Sequence, residues 1–202
     1  MLNPQNFKTS DAFIACYLTK EKATSLLETD DPAIKREGKI RIQLGFMKNQ
    51  LTTTNLLDQA NADVKNIIAI YESINTSEAR NHLKLFQDKQ NDLNGKLTHI
   101  HTLQNALNAN YVKLEDKIDT LHPILKEIEK RPERYKSQEI QNTFQAIETE
   151  QVAMTKQFTT FSKELNMLFN QFNDLYGDAF SKLPDSQKVR APAPSYQALK
   201  IS

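Results

Sequence analysis

The sequence predicts an all-α protein: an elongated antiparallel coiled coil, or three-long-helix bundle, with a short N-terminal helix and a disordered C-terminal tail. Three observations carry that reading. From Leu83 to Ile128 a heptad repeat puts Phe86, Leu93, Ile100, Leu107, Leu114, Leu121 and Ile128 at every d position. Its a positions are Leu83, Gln90, Leu97, Gln104, Tyr111, Ile118 and Leu125. Alternate steps of three and four keep such residues on one side of a helix of about 70 Å. A second stripe runs Ile140, Phe144, Ile147, Gln151, Met154, Phe158, Phe161, Leu165, Leu168, Phe172, Leu175, Ala179. Between them lies a short link containing Pro132, which ends a helix and pushes Arg131 out of the α region. Two long amphipathic helices so joined fold back on each other.

Three segments follow in order: 1–31, a short helix and turn; 32–183, the bundle; and 184–202, a flexible Pro-containing tail. After an irregular lead-in, Ser10-Asp11 can cap a helix over 10–28 bearing Phe13, Ile14, Tyr17, Leu18, Leu26 and Leu27. Thr29-Asp30-Asp31-Pro32 reads as a turn, with Asp31 as N-cap and Pro32 at the first helical position. The next helix, about 32–74, carries Ile40, Leu44, Met47 and Leu51, slips phase at Thr52-Thr53-Thr54, and resumes at Leu57, Ala60, Val64, Ile67, Ile68, Tyr71 and Ile74. Gly38 and Gly45 weaken its first half.

Asn75 and Glu78 have capping-box spacing for the helix over 76–130. Pro123 should bend or break that helix near Asp119–His122 while staying outside the stripe. Folding about Pro132 and Glu133 pairs residues whose numbers sum to about 265. Ile118 then faces Ile147, and Phe86 faces the small Ala179. Lys117 comes to Glu150 and Lys89 to Asp178, while Glu115 and Glu148 repel. Phe169 and Tyr176 widen the apolar face of the last helix, 137–182, and leave a place for the 32–74 helix to dock.

Charges nearly cancel: 26 Lys and Arg against 25 Asp and Glu, net +1. No whole-molecule field draws the chain to nucleic acid, and the interspersed Lys and Glu argue against a membrane surface. Cys16 is the only cysteine, so no intrachain disulfide forms. Phe13-Ile14-Ala15-Cys16 loosely resembles a lipoprotein cleavage box, but the apolar run before it is too short for a signal core. With no membrane-spanning segment the expected location is cytoplasmic, with translocation into a host cell left open.

The four glycines are too scattered for a phosphate-cradling loop. His99 and His101 point to opposite sides of a helix and cannot share a metal. Only one Asp119-x-x-His122 occurs, where a bundle di-metal site needs such motifs on two helices. No serine or cysteine stands in a nucleophile motif. No catalytic residue, cofactor or metal is therefore expected. Gln90, Gln104 and Gln151 interrupt the stripes and read as register determinants more readily than as a polar groove. Lys35-Arg36-x-x-Lys39-x-Arg41 is a small basic patch, partly compensated by Glu37.

The function this supports is a non-enzymatic protein-interaction module: a scaffold, adaptor or chaperone-like subunit. A bacterial secretion-system component or secreted effector would fit. The expected partner is protein, and a homodimer is compatible. Tyr196, Leu199 and Ile201 are the candidate partner-binding residues, three apolar side chains that return after the Pro-rich stretch. A peripheral membrane-binding curved helical dimer and a filament or coat subunit are the alternatives.

Overall fold

The computed structural model describes residues 30–191 and 193–194. The expected helix over 10–28, Cys16, and the tail residues Tyr196, Leu199 and Ile201 lie outside them. The described chain is an all-α helical bundle: α1 (Pro32–Thr52), α2 (Asn55–Glu72), α3 (Ser77–Asp119), α4 (Leu121–Lys130), a 3-10 turn (Pro132–Lys136), α5 (Gln138–Ser181) and the short α6 (Asp185–Lys188). The described residues divide into two compact units, 30–52 with Gln104–Thr160, and Thr53–Leu103 with the chain from Phe161 onward.

Local chemistry explains the boundaries. Asp31 caps α1, its Oδ1 accepting from the amides of Ala33 at 2.8 Å and Ile34 at 3.1 Å, with Pro32 at the position where a missing N–H costs nothing. The phase slip at Thr52-Thr53-Thr54 is a break, so the expected 32–74 helix is two. The 76–130 helix is also two, parted at Thr120. Pro123 thereby falls in the first turn of α4, where no intrahelical donor is required of it. Arg131, just before Pro132, has φ −142° and ψ 76°, as its neighbour's ring demands. The cap of α3 differs from expectation by one residue. Thr76 Oγ1, not Asn75, accepts from the amide of Ala79 at 3.1 Å, and Asn75 takes Arg80 at 2.5 Å instead.

In the first unit Ile40, Leu44, Met47 and Leu51 of α1 are buried, as are Leu114, Ile118, Leu121 and Ile128 from α3 and α4 and Phe144, Ile147, Met154 and Phe158 from α5. Lys117 Nζ lies 2.6 Å from Glu150. The like charges expected to repel are each held elsewhere: Arg36 binds both oxygens of Glu148, and Glu115 accepts from the Tyr111 hydroxyl at 3.3 Å.

In the second unit Leu57, Val64, Ile67 and Tyr71 of α2 pack with Phe86, Leu93 and Ile100 of α3 and Leu165, Leu168, Phe172 and Leu175 of α5, all buried. Phe169 and Tyr176 are buried too. Burial and the charge of Asp63 on α2 push the Tyr176 phenol up, placing α2 beside the widened face of α5. Lys89 lies 3.2 Å from Asp178. At one end Tyr71, His82 and Phe86 cluster, the Tyr71 ring 5.3 Å from Phe86 and 6.2 Å from His82, with Lys182 Nζ 5.5 Å from the Phe86 centroid. The Tyr71 hydroxyl donates to the Ala179 carbonyl at 2.6 Å.

The change of composition at Pro184 does not end the structured chain. Leu183 is buried, α6 follows, and Arg190 donates to Ser73 Oγ at 3.2 Å. Pro184 and Asp185 suit a helix start, so a stretch with little to bury still forms one turn.

Candidate functional site

The three seam glutamines share one role. Gln151 Nε2 donates to the Ile40 carbonyl of α1 at 3.1 Å, Gln104 Nε2 to the Leu51 carbonyl at 2.6 Å, and Gln90 Nε2 to Asn61 of α2 at 3.2 Å. Each reaches the chain packed on the α3 and α5 stripes. Leu51 is one of the last residues of α1, where carbonyls lack intrahelical donors, and Gln104 supplies one. Replacing Gln104 with Leu should lower unfolding stability by about 1 kcal/mol in urea titrations; an unchanged or raised midpoint would show that this bond contributes nothing.

The basic patch is dismantled by its neighbours. Arg36 forms a bidentate pair with Glu148, donates to Gln141 Oε1 at 2.9 Å, and stacks 4.8 Å from the Phe144 centroid. The hydrogen bonding it donates to the Glu148 carboxylate chiefly, and a lesser contribution from Tyr135, hold its guanidinium pKa above the ordinary value. Arg41 binds Glu37 at 2.6 Å and approaches Asp119 at 3.7 Å. Only Lys35 and Lys39 of the patch are exposed. His99 faces Glu164 on α5 at 3.7 Å, and His101 faces Asp58 on α2 at 3.0 Å, so the two histidines serve different neighbours. Among the described residues no group of three His, Cys, Asp or Glu side chains is placed to hold a metal. Nor is any described helix long and apolar enough to cross a membrane.

Within the second unit, a groove runs between α3 and α5. One part, about 470 Å³, is lined by Gly95, Lys96, His99, Ile100, Glu164, Met167 and Leu168. The other, about 680 Å³, is lined by Asp88, Lys89, Leu93, Asp174, Leu175 and Asp178. Asp92, Lys96 and Gln171 belong to both, so the two are continuous. Its walls carry five carboxylates, Asp88, Asp92, Glu164, Asp174 and Asp178, against Lys89 and Lys96. Both lysines are paired: Lys89 with Asp178, and Lys96 with Asp92 at 2.8 Å. The Asp178 carboxyl lies below the usual carboxylate range because Lys182, then Lys89, hydrogen-bonds its charged form. Met167 stands 61% exposed beside the floor, and a Cβ built on Gly95 meets nothing within 4 Å. The sequence signal for this groove was Met167, a long apolar residue outside the stripe; nothing marked the open space at Gly95.

Of the partner-binding candidates Tyr196, Leu199 and Ile201, the structure places none, since all three lie outside the described residues. Scans against protein-family models, curated proteins and solved structures find no match to this chain.

Proposed function

We propose that the protein is a non-enzymatic protein-binding module, an adaptor or scaffold subunit that receives a partner's amphipathic helix in the α3–α5 groove. The observation that carries this reading is that groove: an apolar floor, an exposed methionine, room at Gly95 and a rim dominated by carboxylates. Helices bind such grooves through residues spaced at i, i+3, i+4 and i+7, and methionine adapts to varied apolar anchors. The acidic rim favours a helix flanked by lysine or arginine and speeds its encounter. From Asp88 to Ile100 the floor offers about 18 Å, three turns of a docked helix. The tail residues Tyr196, Leu199 and Ile201 remain a second candidate contact.

The test is affinity capture from the native cell with full-length wild type, Met167→Glu and Met167→Leu. Met167→Glu should lower partner recovery about tenfold, as loss of a central anchor does. Met167→Leu should retain most of it, and neither should move the unfolding midpoint, since Met167 is exposed. Equal recovery by all three would remove the groove from the account. Measurable turnover by the pure protein, or its sedimentation with anionic vesicles, would overturn the non-enzymatic protein-binding reading itself.

A further inference from the structure

One stripe of α3 lacks a side chain in its middle. Asp88, Asp92, Gly95 and His99 follow one another at steps of four, three and four, and all of them line the α3–α5 groove. Gly95 is exposed in the interior of α3, where glycine weakens a helix relative to alanine. Neither the backbone nor the packing calls for it there. No described glycine has a positive φ, and a Cβ on Gly95 would meet nothing within 4 Å. The space belongs to the groove. Asp92, Gly95, Lys96 and His99 stand at i, i+3, i+4 and i+7, the four-sided hole that takes a knob from a facing helix.

We propose that the partner helix docked in this groove plants one aromatic side chain in the hole at Gly95. The proposal rests on the protein-binding reading of the groove and names its anchor. Size allows a ring, since this part of the groove holds about 470 Å³ over the buried Ile100 and Leu168. Chemistry selects one. The exposed thioether of Met167 on α5 is a favourable neighbour for an aromatic edge. The Lys96 ammonium is fixed at the lip by Asp92 at 2.8 Å and Gln171 at 3.4 Å, a held cation for a ring face. The His99 imidazole, 3.7 Å from Glu164, adds a flat wall. An aliphatic anchor would use the floor but neither the cation nor the sulfur. The surrounding carboxylates ask for lysine or arginine beside the anchor. Gly177 is equally open but lines neither part of the groove, which makes it the internal control.

The probes are lysine-flanked amphipathic peptides of about 18 residues, long enough to hold a helix. They carry a fluorescein label and differ only at the centre of the apolar face: phenylalanine, cyclohexylalanine or alanine. In anisotropy titrations of the full-length protein, the phenylalanine peptide should bind about tenfold more tightly than the alanine peptide. It should also bind about threefold more tightly than the cyclohexylalanine peptide, which has the bulk without the π face. Gly95→Leu fills the hole, so it should weaken the phenylalanine peptide about tenfold and leave the alanine peptide unchanged. Gly177→Leu should change neither. Both variants should keep or raise the urea midpoint, since both sites are open and leucine favours a helix. Equal affinity for phenylalanine and cyclohexylalanine, or a Gly95→Leu protein that binds as wild type does, would overturn the aromatic anchor. If Met167→Glu still lost all three peptides, the groove reading would survive that result. Failure of every peptide to bind wild type, or binding untouched by Met167→Glu, would remove the groove reading and the anchor with it.

Discussion

Replacing Phe86 with Ala should cost the second unit about 3–5 kcal/mol, the range for deleting a fully buried aromatic ring. Phe86 is 0% exposed and lies where α2, α3 and α5 meet. Tyr71 and His82 lie 5.3 and 5.9 Å from its ring centroid, and the Lys182 ammonium 5.5 Å over it. Its removal therefore opens a cavity that cannot close without moving Tyr71, whose hydroxyl is tied to the Ala179 carbonyl. The measurement is urea unfolding followed by circular dichroism, with the midpoint lowered and the slope unchanged. Phe86→Leu keeps most of the volume and should lose far less. A loss below about 1 kcal/mol for Phe86→Ala would mean that this end of the unit collapses freely around the gap.

That position was legible in the sequence because heptad spacing is a geometric fact about helices. Each d position of the 83–128 stripe is buried, and so is every residue of the 140–179 stripe. The pairs Lys117–Glu150 and Lys89–Asp178 form as the hairpin register implies. Pro123 and the threonine run were read as disturbances, and both lie at helix breaks, since a missing donor or a phase slip is a local property. What escaped the sequence depends on neighbours far along the chain. Lys35-Arg36-x-x-Lys39-x-Arg41 looked like a surface patch until Glu148 and Gln141, more than a hundred residues away, claimed Arg36. Asn75 drew the cap by its spacing to Glu78, yet its neighbour Thr76 caps equally well as a residue type, and it is the Thr76 hydroxyl that meets the free amide of Ala79. The α3–α5 groove was hidden for a different reason. A groove is defined by the side left uncovered, and periodicity reports only which residues are covered. The helical turn after Pro184 and the Arg190–Ser73 bond left no mark in the composition, which measures burial, because both need little of it.

Alkaline pH should weaken the folded protein through Tyr71 well before it ionises. Burial, and secondarily the nearby charge of Asp178, push its phenol from 10.0 up to about 12. The folded state thus holds this proton more tightly than the unfolded state does. Between pH 10 and 12 the unfolded chain loses it first, so stability falls as pH rises; below pH 10 the contribution is fully present. A shift of about two units corresponds to roughly 3 kcal/mol of stability lost across that window. Tyr71→Phe cannot ionise. It should lose about 1 kcal/mol at neutral pH with its bond to the Ala179 carbonyl, and then show a flatter decline than wild type above pH 10. Comparing the two proteins cancels the lysines that titrate in the same range. Phenolate absorbance at 295 nm gives an independent reading: the wild-type minus Tyr71→Phe difference should stay near zero until the folded protein approaches pH 12. A difference that rises with an ordinary midpoint near 10 would show that Tyr71 is open to solvent and its hydroxyl released from Ala179.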